Sequence, residues 1–307
     1  MKKQASPDVF GIADLRDWSE SAAGQSIRFG IVGHPVEHSL SPVMHNAALR
    51  ESGIKMKYAA FKVQSAELEE AINLFRANGF LGFNVTLPHK VAAAEFMDEL
   101  DADARQIGAI NTVTVRNQKT LGSNTDGIGF ARAIRDDFSV DLRDLRILLI
   151  GAGGAAHGIA YQCARENCER LVVANRTKCS AEELTNKLQH FFAGPRVLGP
   201  VARLQAIGLN EMRAQIANTD LIVNATPLGW GPSDAAILPA HILEPHLMIY
   251  DTTYGSERTP LLRAASAMGA RGANGLSMLL HQGARAFEIW HGREAPLVAM
   301  RAALVNR

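Results

Sequence analysis

The stretch "ILLIGAGGAAHG", residues 147–158, joins a short apolar run to a glycine-rich turn and then to a helix-like segment. Gly151, Gly153 and Ala156 form a G-x-G-x-x-A pattern directly after the apolar run. Glycines in such a turn let the backbone approach a pyrophosphate, whose charge is stabilised at the helix N-terminus. A glycine pattern alone is weak, but the strand and the helix around it are both present, so the stretch predicts a dinucleotide site.

The end of the next predicted strand indicates which dinucleotide binds. An NAD site normally has an acidic residue about 20 positions after the glycines, which accepts hydrogen bonds from the ribose hydroxyls. This chain has "VVANRTKCS" there, with Asn175, Arg176, Thr177 and Lys178 and no carboxylate. Arginine and lysine attract a 2′-phosphate, and a threonine hydroxyl can donate to it. The sequence therefore favours NADP, the alternative being that these are solvated residues after a strand.

Strand-like and helix-like segments alternate along most of the chain. From Ile27 onward, short β-branched runs alternate with longer helical segments, and a second series of the same kind starts at Arg146. The segments "AINTVTV" and "TLGSN" are expected to form a hairpin around "RNQK". This alternation predicts an α/β fold with mostly parallel sheets covered by helices, in two domains. The polar start of the chain, residues 1–26, is expected to be an extension that is mobile or forms a surface helix.

Composition excludes several classes of protein. The chain has 307 residues, and its formal net charge of +1 gives no electrostatic case for nucleic acid or an anionic membrane. No apolar run approaches the roughly 18 residues that a membrane span needs. The three cysteines lack the paired spacing of zinc sites, and no histidine–carboxylate cluster predicts a metal. We expect reduced thiols in a cytoplasmic protein with no bound metal.

Three stretches of the first half carry polar residues where a strand meets a loop. They are "EHSLSPVMHN" with Ser39 and Ser41, "GFNVTLPHK" with Asn84, Thr86 and Lys90, and "GAINTVTV…GSNTDGIGF" with Asn111, Asn124 and Asp126. Ser41 suits a helix N-cap with Pro42 as the first helical residue, and two hydroxyls there could hold a small carboxylate. Taken singly, Ser41 is more often only a cap, and a lone lysine is usually solvated. Together they suit a polyhydroxylated anion.

Nine motifs in matching order give the chain a family resemblance. It resembles the shikimate 5-dehydrogenase family from about Ile27 to Gly292, through "HSLSPVMHN", "FNVTLPHK", "GAINTV", "NTDGIGF", "GAGGAA", "NRT", "NATPLG", "DTTYGSERTPLL" and "GLSMLLHQGARAFEIWHG". The resemblance implies NADPH-dependent, reversible reduction of 3-dehydroshikimate to shikimate. It also implies a substrate domain of residues 27–126 plus 275–307 and a Rossmann-type NADP domain of residues 127–274. The enzyme would be a monomer or homodimer.

The resemblance also implies roles for individual residues. Lys90 and Asp126 would form the catalytic pair, although which of them carries the proton stays open. Substrate would be held by Ser39, Ser41, Asn84, Thr86, Asn111, Tyr254 and Gln282. NADP would be held by Gly151, Ala152, Gly153, Gly154, Ala155, Asn175, Arg176, Thr177, Lys178, Thr226, Thr252 and Gly275.

A few positions depart from the family pattern, and two other functions compete. Trp230 and Gly231 replace an expected methionine-containing loop near the nicotinamide. One alternative is a sister enzyme that oxidises quinate or a related ring acid, with NAD or with broader specificity. The other is a non-catalytic protein that binds NADP and senses a metabolite; such a protein could dispense with Lys90 or Asp126, and this chain keeps both.

Overall fold

The computed structural model describes residues 9–193, 202–229, 234–255 and 258–305. The chain divides into two compact units. The first unit runs up to Thr125 and resumes at Leu280, and the second runs from Asp126 to Leu279. The sequence placed these two crossings after residue 126 and before residue 275.

Seven strands among the described residues form the sheet of the first unit. They are β1 (Val9–Phe10), β2 (Ile27–Gly33), β3 (Lys57–Lys62), β4 (Gly82–Val85), β5 (Glu99–Leu100), β6 (Thr112–Arg116) and β7 (Lys119–Ser123). Their order in the sheet is β1-β3-β2-β4-β6-β7-β5. The first four of that order are parallel, and β6 runs antiparallel to both β4 and β7. The hairpin of β6 and β7 turns at Asn117 and Gln118, whose φ angles of 51° and 63° match the turn that two-residue hairpins prefer.

The helices of the first half are α1 (Ile12–Arg16), α2 (Ser41–Glu51), α3 (Leu68–Ala77) and α4 (Ala102–Ile107). Short 3-10 helices span Trp18–Glu20, Ala23–Gln25, Ser65–Glu67 and Ala92–Phe96. The core between α3 and the sheet is rich in aromatic rings. Phe75 and Phe83 stack at 4.6 Å between centroids, and Phe80 meets Phe75 edge to face.

The N-terminal segment, expected from the sequence to be mobile or to form a surface helix, contains the short helix α1. Its first eight residues lie outside the described ranges, but residues 9–26 pack onto the first unit. Leu15 and Trp18 are buried, and the Trp18 ring lies 5.3 Å from Phe61 and 5.4 Å from Phe80. Polar residues separate the apolar side chains of this segment, so its sequence has no clear periodic signal. Burying them ties this segment to the sheet.

In the part of the second unit that the structure describes, six strands form one fully parallel sheet. Its strands are β8 (Arg146–Ile150), β9 (Arg170–Asn175), β10 (Leu204–Gly208), β11 (Leu221–Asn224), β12 (Met248–Asp251) and β13 (Arg271–Asn274). Their order is β10-β9-β8-β11-β12-β13. Counted from β8, this is the 3-2-1-4-5-6 order of a Rossmann fold, whose ligands bind outside the carboxyl ends of the strands. The prediction of an α/β fold with a dinucleotide-type second domain is confirmed.

Helices connect the strands of this sheet and complete the chain. They are α5 (Asp126–Phe138), α6 (Gly154–Arg165), α7 (Lys178–Leu188), α8 (Pro260–Ala267), α9 (Leu276–His291) and α10 (Leu297–Val305), with 3-10 helices at Leu142–Asp144, Gln189–Phe192, Leu209–Asn218 and Ala240–Ile242. The division between the units falls within α9. Within the first unit, α10 packs along α2.

Candidate functional site

Asn84 lies at the carboxyl end of β4 and is almost completely buried, with 4% of its surface exposed. The hydroxyl of Tyr58 donates to its Oδ1 over 2.7 Å. Its Nδ2 donates to the carbonyl oxygen of Asn111 over 3.0 Å and to Oγ1 of Thr112 over 3.1 Å. Both amide hydrogens are therefore used within the protein, and Oδ1 keeps one lone pair for another donor. The amide is oriented to accept from a hydroxyl group.

Asn111 joins two other candidate residues. It is 2% exposed, and its Oδ1 accepts from the backbone N–H of Thr125 over 2.8 Å. Its Nδ2 donates to Oγ1 of Thr125 over 2.9 Å and to Oε1 of Gln282 over 3.2 Å. Gln282, far away in sequence on α9, is thereby brought beside Asn111 and Asn84. Three predicted substrate residues form one connected polar group.

The two serines lie at the start of α2, but not in the predicted capping arrangement. Ser41 is the first residue of the helix, Leu40 takes the N-cap position and Pro42 is the second helical residue. The prediction of Ser41 as N-cap is wrong by one position. The backbone N–H of Ser41 donates to Oγ of Ser39 over 3.3 Å, so the preceding serine receives that bond. Both hydroxyls still lie next to the helix N-terminus, which favours anions.

The loop before these serines carries a fixed charge pair. Glu37 lies 2.7 Å from Nζ of Lys62 and also accepts from the backbone N–H of Val36 over 2.9 Å. These hydrogen bonds, with that from Lys62 first, lower the pKa of Glu37 to about 2. The carboxylate is therefore ionised throughout the physiological range, and the adjacent lysine compensates its charge.

The backbone after β4 holds Thr86 and Lys90 in a tight loop. Thr86 N–H donates to Val32 O over 2.9 Å, and Lys90 O accepts from Ile110 N–H over 2.8 Å. Between them, buried His89 contacts the carbonyl of Val63 through Nε2 over 2.7 Å. Burial lowers the pKa of His89, so the neutral ring donates this bond. Lys90 itself is half-buried.

Asp126 begins α5 and is also the first residue of the second unit. It is buried, with 3% of its surface exposed. It directly follows Thr125, whose backbone and side chain are both bound by Asn111. Lys90 and Asp126 thus belong to different units. Tyr254 also belongs to the second unit, in the loop after β12, where it is half-buried.

The glycine turn follows β8 as predicted. Gly151 has φ = +114°, and a Cβ there would lie 2.9 Å from Cγ2 of Thr226 and 3.0 Å from the carbonyl oxygen of Ala225. A larger residue is therefore excluded by both backbone and space. Gly153 takes the N-cap position of α6, with no atom within 4 Å of an added Cβ, and Gly154 begins the helix. Exposed backbone N–H groups at this helix start suit a pyrophosphate, flanked by Ala152 and Ala155.

The predicted 2′-phosphate residues follow β9 in an exposed loop. Asn175 ends the strand and donates from Nδ2 to the carbonyl oxygen of Thr177 over 3.0 Å. Arg176 and Thr177 are exposed, and Lys178 begins α7. Nζ of Lys178 lies 3.4 Å from Oε1 of Glu211. Two basic side chains are therefore exposed just after the carboxyl end of β9.

Sequence reasoning missed two buried residues behind the predicted cofactor threonines. Asn224 and Asp251 end β11 and β12 and are 0% exposed. Asn224 Oδ1 accepts from Oγ1 of Thr226 over 2.7 Å, and Asn224 O accepts from Oγ1 of Thr252 over 2.9 Å. Asn224 Nδ2 in turn donates to Asp251 over 3.2 Å. The signal that could have revealed them is a polar residue ending an otherwise apolar strand.

Burial raises the pKa of Asp251 in spite of its hydrogen bonds. Its two oxygens accept from the hydroxyls of Thr253 and Thr259 over 2.9 and 2.7 Å, as well as from Asn224.

The loop after β13 requires a glycine at Gly275, because a Cβ there would lie 2.0 Å from the carbonyl oxygen of Thr252. The departures Trp230 and Gly231 lie outside the described residues.

Comparison with known proteins gives the family. Residues 31–113 match the substrate binding domain of shikimate dehydrogenase, residues 132–228 match shikimate / quinate 5-dehydrogenase, and residues 275–305 match the shikimate 5′-dehydrogenase C-terminal domain. The chain belongs to the shikimate dehydrogenase family. The glycine turn and the "NRTK" loop both fall inside the second matched segment.

Relatives within the shikimate dehydrogenase family cover almost the whole chain. The chain is 42% identical over 279 residues to the shikimate dehydrogenase (NADP(+)) of Methanopyrus kandleri, covering 90% of this chain and 94% of that one. It is 42% identical over 282 residues to the enzyme of the same name from Symbiobacterium thermophilum, covering 89% and 92%. The crystal structure of the Thermus thermophilus enzyme in complex with NADP(H) and shikimate has a TM-score of 0.78 and 34% identity, covering 91% and 99%.

Two kinds of feature are absent from the described ranges. Among those residues, no group of three or more His, Cys, Asp and Glu side chains is arranged to hold a metal ion. No helix within the same ranges is both long enough and apolar enough to span a bilayer. The cysteines Cys163, Cys168 and Cys179 form no disulfide.

Proposed function

We propose that the chain catalyses the reversible, NADP-dependent reduction of 3-dehydroshikimate to shikimate, a step of aromatic amino-acid biosynthesis. The observation that carries the proposal is similarity along nearly the whole chain, 42% over 279 residues, to an NADP-dependent shikimate dehydrogenase. The chain is an oxidoreductase acting on a CH–OH group, with NADP as cofactor. The quinate and sensor alternatives lack a comparable observation.

Bound NADPH supplies the hydride for this reaction. The protein must supply the proton, because the ketone oxygen becomes an alkoxide when the carbon accepts hydride. Lys90 and Asp126 are the proposed catalytic pair, and a lysine ammonium can both donate a proton and stabilise the developing negative charge. Asp126 is the second proposed catalytic residue, which would orient the amine and share in relaying the proton.

Substrate recognition rests on the polar groups of the first unit. Ser39 and Ser41 would bind the carboxylate at the start of α2, where the helix dipole favours an anion. Oδ1 of Asn84 has a lone pair to accept from a ring hydroxyl, while Asn111 and Gln282 hold each other in place next to it. Thr86, Tyr254 and Gln282 complete the proposed substrate residues. A preformed amide network reduces the entropy lost on binding.

Cofactor recognition rests on the carboxyl ends of the parallel strands. The turn Gly151–Ala155 would take the pyrophosphate, and Asn175–Lys178 would take the adenosine ribose and its 2′-phosphate. Thr226, Thr252 and Gly275 follow strands β11, β12 and β13 and would contact the nicotinamide end. A cytoplasmic location and a monomeric or homodimeric state are part of this proposal.

The test follows reduced-nicotinamide absorbance with shikimate or quinate and with NADP or NAD, in all four pairs. We expect turnover mainly with shikimate and NADP. Lys90→Met should lower kcat by about 10² to 10⁴, while exposed Lys55→Met, the matched control, should leave it unchanged. Calorimetric binding of NADP by Lys90→Met verifies that the variant is folded. Turnover mainly with quinate or NAD would establish the sister enzyme, and binding without any turnover would establish the sensor.

A further inference from the structure

A carboxylate lies beside the predicted 2′-phosphate site, although the sequence around that site contains none. The "NRTK" loop after β9 lacks an acidic residue, which favoured NADP over NAD. In the structure, Glu211 reaches this loop from the 3-10 helix that follows β10, and Gly208 at the end of β10 pairs in register with Asn175 at the end of β9. The sheet brings together two segments that are more than thirty positions apart.

A backbone N–H group three residues earlier holds the Glu211 side chain in this position. Glu211 lies in the 3-10 helix Leu209–Asn218, and its Oε1 accepts from the N–H of Gly208, the N-cap residue, over 2.8 Å. That hydrogen bond is the main cause that lowers the pKa of Glu211, so the group is anionic at neutral pH. The same oxygen lies 3.4 Å from Nζ of Lys178. Both side chains are about half exposed, at 43% and 49%.

The short distance between Lys178 and Glu211 weakens the attraction of Lys178 for the 2′-phosphate of NADP. A phosphate oxygen bound by an ammonium lies about 2.8 Å from its nitrogen. If Lys178 stays next to Glu211, the phosphate therefore lies within about 6 Å of the carboxylate, less than the Debye length of ~8 Å at physiological salt. If Lys178 instead swings away, its ion pair with Glu211 is lost. NADP is weakened in both cases, because its 2′-phosphate carries nearly two negative charges at neutral pH.

Neither effect weakens the binding of NAD, because its ribose carries a neutral 2′-hydroxyl in place of the phosphate. A hydroxyl neither competes for Lys178 nor is repelled by Glu211. It can also donate a hydrogen bond to a carboxylate, which is how acidic residues of NAD-binding sites select NAD. Glu211 therefore acts on the two cofactors in opposite directions.

We propose that Glu211 is a specificity-determining residue of the cofactor site, which limits the preference of this enzyme for NADP over NAD. The inference rests on the proposed NADP-dependent function and on the assignment of "NRTK" to the 2′-phosphate. It predicts that replacing Glu211 by the uncharged glutamine increases the preference. Glutamine keeps a carbonyl oxygen at the same place, so it can still accept from Gly208 and preserve the loop.

The experiment compares Glu211→Gln with the unaltered enzyme by calorimetric titration with NADP and with NAD, without shikimate. Exposed charge pairs of this kind change affinities about two- to five-fold, so the ratio of the two dissociation constants should shift toward NADP by that factor. In 1 M salt, where the Debye length is about 3 Å, the shift should disappear. A purely structural defect would weaken both cofactors and would not respond to salt in this way.

The chain offers a matched control in Glu67. This glutamate also caps a 3-10 helix, accepting from the N–H of Gln64 over 2.9 Å, but it lies in the first unit. Glu67→Gln should leave the cofactor ratio unchanged. An unchanged or reduced NADP preference in Glu211→Gln, or an equal shift in Glu67→Gln, overturns the inference. Because binding is measured without turnover, an enzyme that fails to oxidise shikimate would refute the proposed function while the titrations still decide the role of Glu211.

Discussion

Gly82 in β4 leaves room for a tryptophan that packs over the strand. A Cβ at this position would lie 2.3 Å from Nε1 of Trp290 and 2.6 Å from its Cδ1, distances that no real Cβ tolerates. Trp290 has little space to retreat, because its ring lies 5.1 Å from Phe29 and 5.4 Å from His45. Its Nε1 also donates to the carbonyl oxygen of Val113 over 3.0 Å. We therefore expect Gly82→Ala to displace the indole ring.

The expected loss of stability follows from these contacts. Overpacking a filled core costs about 1–3 kcal/mol, and losing the bond from Trp290 to Val113 costs about 1 kcal/mol more. Two smaller effects oppose the loss: burial of the new methyl group contributes about 0.8 kcal/mol, and alanine restricts the unfolded chain by roughly 0.5 kcal/mol. The free energy of unfolding of the first unit should fall by about 2 kcal/mol.

Urea unfolding followed by circular dichroism measures this change. Tryptophan fluorescence is not a suitable signal, because it would respond to the displaced ring itself. Gly255→Ala is the control, because an added Cβ there has no neighbour within 4 Å, and it should change the free energy of unfolding by less than about 0.5 kcal/mol. In a Trp290→Leu background the penalty of Gly82→Ala should largely disappear. A loss below about 0.5 kcal/mol, or an equal loss in that background, would refute the packing argument.

Three further predictions concern charge, cofactor and backbone. Burial lowers the pKa of His45 to about 3. Below pH 6.5 the unfolded chain therefore takes up a proton that the folded chain does not. The free energy of unfolding then falls by up to about 1.4 kcal/mol for each unit by which the pH is lowered. His45→Phe should flatten the profile of unfolding free energy between about pH 6.5 and 4, and an unchanged slope would contradict this. Arg176→Gln should raise the KM for NADP about tenfold and leave that for NAD unchanged; equal effects on both would remove Arg176 from the phosphate site. Gly151→Ala should weaken both cofactors in calorimetry, because of its φ of +114° and the nearby Thr226, and retained affinity would show that the turn adapts.

Local patterns allowed much of the fold to be predicted. The glycine turn, the β6–β7 hairpin and the alternation of strands and helices depend on residues close together in sequence, whose backbone preferences act directly. The parallel sheet of the second unit followed from that alternation. The family resemblance then placed candidate residues on loops at strand ends, and within the first unit the structure brings Asn84, Asn111 and Gln282 into one network.

The remaining features depend on contacts between distant segments. Tyr58 fixes the amide of Asn84 from the neighbouring part of the sheet, and Glu211 meets Lys178 only because β10 lies beside β9. Neither pair has a periodic or motif signal. The N-cap prediction for Ser41 was wrong by one position: Leu40 is the N-cap, and the hydroxyl of Ser39 accepts from the backbone N–H of Ser41. Capping preferences are too similar among neighbouring serines to decide such a shift.

The short outer strands of the first unit affect how the protein behaves at high concentration. Open strand edges are templates on which other chains add, and that addition leads to aggregates. Here both edges are only two residues long, Val9–Phe10 on one side and Glu99–Leu100 on the other. Without β1, the six residues of Lys57–Lys62 would form the free edge. β1 pairs with Ala60 and Phe61 of that strand, so an N-terminal segment with no proposed part in binding or chemistry covers part of the edge, and shortening the chain past Phe10 would expose all of it.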